Sequence, residues 1–226
     1  DGCSNETIEE YKKLNFSFKP KEIFCNENVG RAAARNIGIK HAQGKIIIFV
    51  DDDRIPDENF IKKHLKGHKQ KCVLLGNRRE IQLSDQEIED LYYQTGNLKD
   101  YFNKSKLEFG RQINIRPMSI YRWFRLYTGN VSIEKEDLVK IQGFDEKFKV
   151  WGNEDLDLGI RLQKLNLPFI QDLEIVNYHL MHESNFADKR KDSIKNLKYM
   201  VKKYRKDLLI RLRLHLMIVR QSLFGI

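Results

Sequence analysis

Three consecutive aspartates, Asp51, Asp52 and Asp53, directly follow an apolar run at 45–50. Carboxylates held this close together repel one another unless solvent or a cation separates them. Carboxylate oxygens that leave positions open for phosphate oxygens suit Mn²⁺ or Mg²⁺ better than zinc. The triplet therefore predicts a site for a divalent metal. The alternative is a solvated acidic turn.

Two histidines, His179 and His182, follow a predicted strand at 173–176. A neutral imidazole can complete a coordination shell that carboxylates begin. Both histidines are therefore candidate metal ligands, and of the two we slightly favour His179. The alternative is that these histidines are structural.

Acidic residues also open a predicted helix that comes after Trp151 and ends before Pro168. The acidic residues are Glu154, Asp155 and Asp157. A carboxylate in the first turn of a helix is stabilised by the helix dipole and can accept a proton from a hydroxyl. The alternative is that the three carboxylates only stabilise the end of the helix.

Composition limits the class of protein. The chain has 226 residues, 41% of them hydrophobic, which is enough for one substantial core. Its formal net charge of +9 favours an anionic partner: a sugar nucleotide, a nucleic acid or an acidic membrane. The three cysteines form no CxxC pair, which fits a reducing compartment and offers no thiolate metal site.

The elements around these residues predict an α/β fold. The run at 45–50 is continuous and rich in isoleucine, as expected for a strand buried on both faces of a sheet. A helix at 31–42 precedes it, and a short strand is predicted at 22–25. Arg31 and Arg35 in this helix could bind a diphosphate or could be solvated. Ligands in open α/β sheets lie at the edge where Asp51 to Asp53 stand.

The last part of the chain differs in character. From Asp188 onward, lysines and arginines accompany an apolar stripe in what is predicted to be one long helix. The stripe contains Leu208, Leu212, Leu216, Val219 and Leu223. This helix could lie on an anionic membrane, or its stripe could pack on the catalytic domain or on a second subunit. No signal peptide and no membrane-spanning helix are expected.

Two blocks of sequence resemble known enzymes. The segment 28–38, followed by the strand and the aspartate triplet, is similar to the N-terminal half of family-two glycosyltransferases of the GT-A fold. Gly129-Asn130, Gly143-Phe144-Asp145-Glu146 and the segment 151–158 resemble the C-terminal part of galactosyltransferases, polypeptide N-acetylgalactosaminyltransferases and chondroitin-type polymerases. Asn153 departs from the glycine that is common before the Glu-Asp pair.

The resemblance implies roles for individual residues. Asp53 corresponds to the metal ligand of the D-x-D motif, with His179 or His182 completing the metal shell. Asp155 corresponds to the general base. The donor would contact Asp1, Arg31, Arg35, Asp51 and Asp52, with Asp51 beside the ribose. The acceptor would contact Trp151, Glu154 and Asp157.

Asp1 opens a segment, Asp1-Gly2-Cys3-Ser4, that looks like the end of an Asp-Asp-Gly-Ser motif, whose aspartate contacts the nucleotide base. Because the numbering begins inside this motif, we expect the first strand of the domain to be missing. Residues 1–187 are then an incomplete GT-A domain with a central, mostly parallel sheet. Residues 188–226 form a basic helical extension.

The predicted function is metal-dependent, inverting transfer of a sugar from a nucleoside diphosphate sugar, with UDP as the expected nucleotide. The expected acceptor is a hydroxyl of a glycan or a lipid-linked molecule, and the polar stretch at 82–115 does not name it. The cofactor would be Mn²⁺ or Mg²⁺, and no nucleic acid partner is expected. The expected location is the cytoplasm, with a peripheral contact at the inner face of the membrane. A GT-A-like nucleotidyltransferase and a basic nucleic-acid-binding domain are the rival interpretations.

Overall fold

Six strands of the described chain form one sheet. The computed structural model describes residues 1–14, 18–92, 102–103, 106–107, 121–182 and 185–224. In chain order the strands are β1 (Ile46–Phe49), β2 (Arg54–Pro56), β3 (Val73–Ile81), β4 (Lys106–Leu107), β5 (Val131–Glu134) and β6 (Phe169–Leu180). The predicted run at 45–50 is thus a strand. Part of the unassigned stretch at 82–115 lies outside the described residues.

The strand order is β1-β5-β3-β6-β2, and β4 pairs with β3. Among these described strands, β3 and β6 pair in parallel, and the other four pairs are antiparallel. The prediction of a mostly parallel sheet is therefore wrong. An apolar run shows that a strand is buried but not which strand lies beside it. The neighbour of β1 is β5, which comes about eighty residues later and runs in the opposite direction.

In addition to the sheet, the structure describes eight α-helices. They are α1 (Asn5–Lys12), α2 (Arg31–His41), α3 (Phe60–Gly67), α4 (Asp85–Tyr92), α5 (Lys135–Lys140), α6 (Glu154–Lys164), α7 (Phe186–Lys203) and α8 (Leu208–Phe224). Short 3-10 turns occupy Arg122–Arg125 and Thr128–Asn130. The strand predicted at 22–25 is not formed, and the backbone there makes no strand pairing.

The chain forms two compact units. One contains Asp1–Gln43, Gln142–Glu154 and Ala187–Ile226, and the other contains Gly44–Ile141 and Asp155–Phe186. We call them the helical unit and the sheet unit, because every described strand lies in the second. The boundary predicted at 187/188 stays a prediction.

The core of the sheet unit joins α3 to the strands. Phe60 of α3 packs with Cys72, Leu74 and Ile175, all four of them buried. Burial of such side chains stabilises the fold by about 2 kcal/mol each. Leu74 belongs to β3 and Ile175 to β6, so α3 covers this parallel pair of strands. His179 lies near the end of β6.

The basic C-terminal segment is two helices, not the one that was predicted. α7 ends at Lys203, and α8 begins after a turn at 204–207. Asp207 causes the restart, because its side-chain Oδ1 accepts a hydrogen bond from the backbone N–H of Ile210 at 3.2 Å and so caps α8. Among the described helices, none has the length and apolar character needed to cross a bilayer.

Candidate functional site

Strand pairing brings the aspartate triplet to the histidines. β2 begins directly after Asp53 and runs antiparallel to the end of β6, with Arg54 opposite His179. The backbone N–H of Leu180 donates to the carbonyl of Asp53 at 3.0 Å. The pairing therefore fixes residue 53 beside residue 179, although more than a hundred residues separate them in the chain.

Asp53, His179 and His182 form a cluster in the sheet unit. The Nε2 atoms of His179 and His182 lie 3.3 and 3.5 Å from Oδ2 of Asp53. One ligand atom from each residue lies within 4.8 Å of the others, a spacing that one metal ion can bridge. Asp53 and His179 are partly buried, whereas His182 is exposed. The structure thus brings together both candidate histidines.

The electrostatics of the cluster keep Asp53 ionised. The hydrogen bond that His179 makes to the carboxylate lowers the pKa of Asp53, and this effect, with the nearby charges of Arg54 and His182, outweighs the opposing effect of burial. Oδ1 of Asp53 makes no hydrogen bond among the described residues but lies 3.5 Å from Nε of Arg54 in an ion pair. Nδ1 of His179 is buried without a hydrogen-bond partner among the described residues. Oδ2 of Asp53 faces both Nε2 atoms, and one carboxylate oxygen with two imidazole nitrogens is a donor set that fits a divalent cation such as Mn²⁺.

Asp51 lies partly buried at the start of the same turn, and Asp52 is exposed at its tip. Gly129 makes room for Asp51, because a Cβ at this glycine would lie 2.9 Å from Oδ2 of Asp51. It would also lie 3.3 Å from Nε of Arg54. A side chain at position 129 would therefore push the Asp51 carboxylate and the Arg54 guanidinium aside. This close approach gives a physical reason for the glycine of the Gly129-Asn130 motif.

Sequence reasoning missed a buried amide network beneath this turn. The Nδ2 group of Asn177 donates to the carbonyl of Gly129 at 2.5 Å. Asn130 donates to the carbonyls of Asn77 and Ile175 at 2.9 and 3.1 Å. These asparagines are buried, so their amides fix the backbone that carries the site. The sequence signal that could have indicated this network is an asparagine next to β-branched residues of a strand. An amide buried there must find hydrogen-bond partners.

The three carboxylates at the start of α6 have different surroundings. Glu154 is 5% exposed and pairs with Arg35 at 2.8 Å. Asp157 is completely buried, and its Oδ2 accepts from Nε of Arg161 at 2.8 Å. In this conformation an acceptor cannot reach Asp157, which favours the structural alternative for that residue. Asp155 is only partly buried, which makes it the most accessible of the three.

The remaining predicted residues belong to the helical unit. Asp1 accepts hydrogen bonds from the backbone N–H groups of Val29 and Gly30 at 2.8 and 3.1 Å, just before α2. Arg31 is at the start of α2, and its Cζ atom lies 5.8 Å from the centroid of the Trp151 ring. The indole is 37% exposed. Arg35 is held by Glu154, so its binding to a diphosphate would require that ion pair to open.

The family models and the relatives that match this chain are all glycosyltransferases. Residues 1–124 match the family model "Glycosyl transferase family 2", and residues 112–183 match "N-terminal domain of galactosyltransferase". The uncharacterized glycosyltransferase YfnE of Bacillus subtilis is 28% identical over 241 residues, which cover 90% of this chain and 61% of the relative. Validoxylamine A glucosyltransferase of Streptomyces hygroscopicus subsp. jinggangensis is 24% identical over 200 residues, covering 81% of this chain and 47% of that protein.

A chondroitin synthase of Pasteurella multocida is 28% identical over 151 residues, which cover 58% of this chain and 15% of that protein. Between 15% and 61% of the length of these three relatives is therefore spanned by the chain.

Solved structures show the same fold. A crystal structure of S. aureus TarS 1-349 superposes with a TM-score of 0.57 at 18% identity, covering 99% of this chain and 64% of that chain. GalNAc-T7 with UDP, GalNAc and Mn²⁺ superposes with a TM-score of 0.51 at 15% identity, covering 85% and 38%. The predicted GT-A fold is confirmed. Since the first family model matches more than half of the residues, the chain belongs to glycosyl transferase family 2.

Proposed function

We propose that the protein is a metal-dependent, inverting glycosyltransferase that moves a sugar from a nucleoside diphosphate sugar, with UDP as the nucleotide, to a hydroxyl of a glycan or a lipid-linked acceptor. The observation that carries the proposal is the cluster of Asp53, His179 and His182 at the edge of the sheet in a member of this family. Family membership supports sugar transfer, and the cluster supports metal dependence.

Asp53, His179 and His182 would hold the metal through one carboxylate oxygen and two imidazole nitrogens. A divalent cation bound there would neutralise charge on the diphosphate leaving group. The presence of Mn²⁺ and UDP in the GalNAc-T7 structure supports trying Mn²⁺ first. Asp51, placed by Gly129 on the same turn, is the candidate for contact with the donor ribose.

Asp155 would act as the proton acceptor. It stands in the first turn of α6, where the helix dipole favours a negative charge, and it is more accessible than Glu154 and Asp157. The acceptor oxygen attacks the anomeric carbon while its proton passes to Asp155. The bond between the anomeric carbon and the diphosphate oxygen breaks on the opposite face, so the anomeric configuration inverts.

Release of UDP tests the proposal. The chain is incubated with UDP-hexoses and UDP-N-acetylhexosamines, with Mn²⁺, with Mg²⁺ or with EDTA, and liberated UDP is measured. We expect slow donor hydrolysis that requires the cation and accelerates when an acceptor glycan is added. Hydrolysis at an unchanged rate in EDTA would contradict metal dependence, and no turnover of any of these UDP-sugars would contradict the proposed function.

The substitution Asp53→Asn tests the metal ligand directly. Removing the charged carboxylate weakens coordination, so we expect UDP affinity in the presence of Mn²⁺ to fall at least about tenfold, with metal affinity falling in parallel. Titration calorimetry measures both. Glu58→Gln, which removes an exposed carboxylate five residues away, is the matched control. Unchanged affinity in Asp53→Asn would remove this residue from the metal site.

A further inference from the structure

Helix α8 carries an exposed apolar face. Six side chains form it, each between 51% and 70% exposed: Leu208, Leu209, Leu212, Leu216, Val219 and Leu223. At 3.6 residues per turn they fall within one sector of about 100°. The opposite side of the helix is the buried one, with Ile210 and Leu214 in the core. We call the exposed sector the leucine face; within the part of the chain that the structure describes, nothing covers it.

Positive charge surrounds the leucine face. α7, α8 and the turn at 204–207 between them together contain twelve lysines and arginines but three aspartates, a formal +9 that equals the net charge of the whole chain. The rest of the chain is therefore formally neutral. On the helical wheel, Arg213 and Arg220 lie along one side of the leucine face, and Arg211 lies along the other. An apolar face bordered by arginines on both sides is the pattern of a helix that lies in a lipid interface.

A cleft between the end of α7 and the start of α8 adds a place for a head group. It is open to solvent, with a volume of about 570 Å³. Its basic lining comes from Lys202, Arg205, Arg211 and His215, and its apolar lining comes from Val201, Leu208 and Leu212. Two residues of the leucine face thus line the cleft. Cations and apolar side chains in one cleft match a phosphate group joined to acyl chains.

We propose that the leucine face rests on a membrane surface rich in anionic phospholipid, with a lipid phosphate in the cleft. Charge decides between this partner and a second copy of the chain. Two leucine faces brought together would also bring together two sets of flanking arginines, and like charges at an interface are unfavourable. An anionic lipid surface instead attracts the same arginines and accepts the leucines between its head groups.

Cosedimentation with vesicles tests the proposal. The full chain is mixed with vesicles of phosphatidylcholine alone or containing about one third phosphatidylglycerol. We expect binding to the anionic vesicles that weakens as salt is added, because added salt screens these charges. Leu212→Asp/Leu216→Asp places charge on the leucine face and should abolish binding. Val139→Asp, at an apolar side chain that is 59% exposed on α5, is the control for the added charge.

A second variant tests the cleft. Lys202→Gln/Arg205→Gln/Arg211→Gln removes three cations and should weaken partitioning about a hundredfold, given the usual contribution of each basic residue near an acidic surface. Lys62→Gln/Lys66→Gln/Lys69→Gln removes three exposed lysines from the region of α3 and should change partitioning far less. Absence of binding at every salt concentration would overturn the proposal. A dimer abolished by Leu212→Asp/Leu216→Asp, without vesicle binding, would also overturn it and assign the face to self-association.

Discussion

At the scale of residues, the start of α6 shows how one helical turn separates three similar side chains. Glu154 and Asp157 are buried and each pairs with an arginine, Arg35 and Arg161 respectively. Asp155 lies between them in sequence but remains accessible. A proton acceptor must reach its substrate, whereas a buried ion pair holds its carboxylate in place. The same chemical group is therefore expected to have different roles at adjacent positions.

Substitution of Asp155 should accordingly lower the catalytic rate, whereas substitution of Glu154 should lower the stability of the fold. Asp155→Asn keeps the shape but cannot accept the proton, so we expect kcat to fall by roughly 10²–10⁴-fold with donor affinity retained. Glu154→Gln weakens the pair with the mostly buried Arg35, and we expect the free energy of unfolding to fall by about 2 kcal/mol. Steady-state kinetics and urea denaturation separate the two effects. Near-normal turnover in Asp155→Asn would exclude it as the base.

Part of the candidate site could be predicted from the sequence alone. The types and spacing of Asp53, His179 and His182 predicted three candidate ligands, and the structure places them together. Their meeting depends on the antiparallel pairing of β2 with β6, which side-chain patterns do not encode. The arginine partners of Glu154 and Asp157 were not predicted, because an ion pair depends on which elements pack together.

At the scale of elements, the turn that leads into α6 explains an unusual residue. Asn153 has a φ of 69°, in the left-handed region that favours glycine and tolerates asparagine. Its side chain is buried, and Nδ2 donates to the carbonyl and to the hydroxyl of Ser193 in α7 at 3.0 and 2.9 Å. Asparagine thus meets the backbone requirement of a glycine position and also ties the turn to α7.

Two substitutions at position 153 should separate these contributions. Asn153→Gly retains the backbone preference but loses the amide hydrogen bonds, so we expect a loss of about 1–2 kcal/mol in the free energy of unfolding. Asn153→Ala adds the cost of a left-handed conformation, about 1 kcal/mol more. Urea denaturation gives both values. Equal stability of the glycine and alanine variants would mean that the turn relaxes to another conformation.

Helix α3 is joined to β5 by a buried histidine whose protonation state is fixed. Asn130 uses its amide N–H groups on two carbonyls, so its Oδ1 must accept from Nε2 of His64 at 3.0 Å. Nδ1 of His64 then accepts from the hydroxyl of Ser132 at 2.8 Å. Burial lowers the pKa of His64 to about 4, and the fold therefore requires the neutral ring.

Acid should destabilise the fold through this histidine. In the unfolded chain the ring takes up a proton near pH 6.5, whereas in the fold it stays neutral down to about pH 4. The stabilisation is complete above pH 6.5 and is lost as the pH falls towards 4, in total about 3 kcal/mol. Between pH 7 and pH 5, urea denaturation should show a smaller loss of unfolding free energy in His64→Gln than in the unsubstituted protein. His41→Gln, at an exposed histidine, should keep the full loss.

At the scale of the whole molecule, the helical unit is assembled from three separate stretches of chain. Asn36 of α2 donates to the carbonyl of Phe144 and accepts from its N–H, at 2.9 and 2.7 Å. Tyr199 and Lys203 of α7 both donate to Asp145, at 2.7 and 2.6 Å. The short stretch at 142–154 is therefore held on two sides by helices that are far away in sequence.

The sequence predicted the α/β class, most helices and the family, because apolar runs, caps and motifs are local signals. It did not predict this assembly or the direction of the strands. The helix from Asp188 was interpreted as an extension because its composition differs from that of the preceding chain. In the structure α7 also contributes Leu197 and Met200, both fully buried, to a core. Surface charge on one side of a helix does not show what its other side packs against.

Asn196 offers a test of this assembly. From the middle of α7 its Nδ2 group approaches the carbonyls of Val150, Trp151 and Gly152 at 3.1, 3.3 and 2.6 Å. Asn196→Ala leaves these carbonyls without their donor, so we expect the free energy of unfolding to fall by about 2 kcal/mol. Because α2 is bonded to the same stretch, hydrogen exchange should quicken at 142–154 and also in α2. Lys195→Ala, an exposed neighbour on α7, should leave exchange unchanged, and quickening confined to α7 in Asn196→Ala would show that the three stretches are not one cooperative unit.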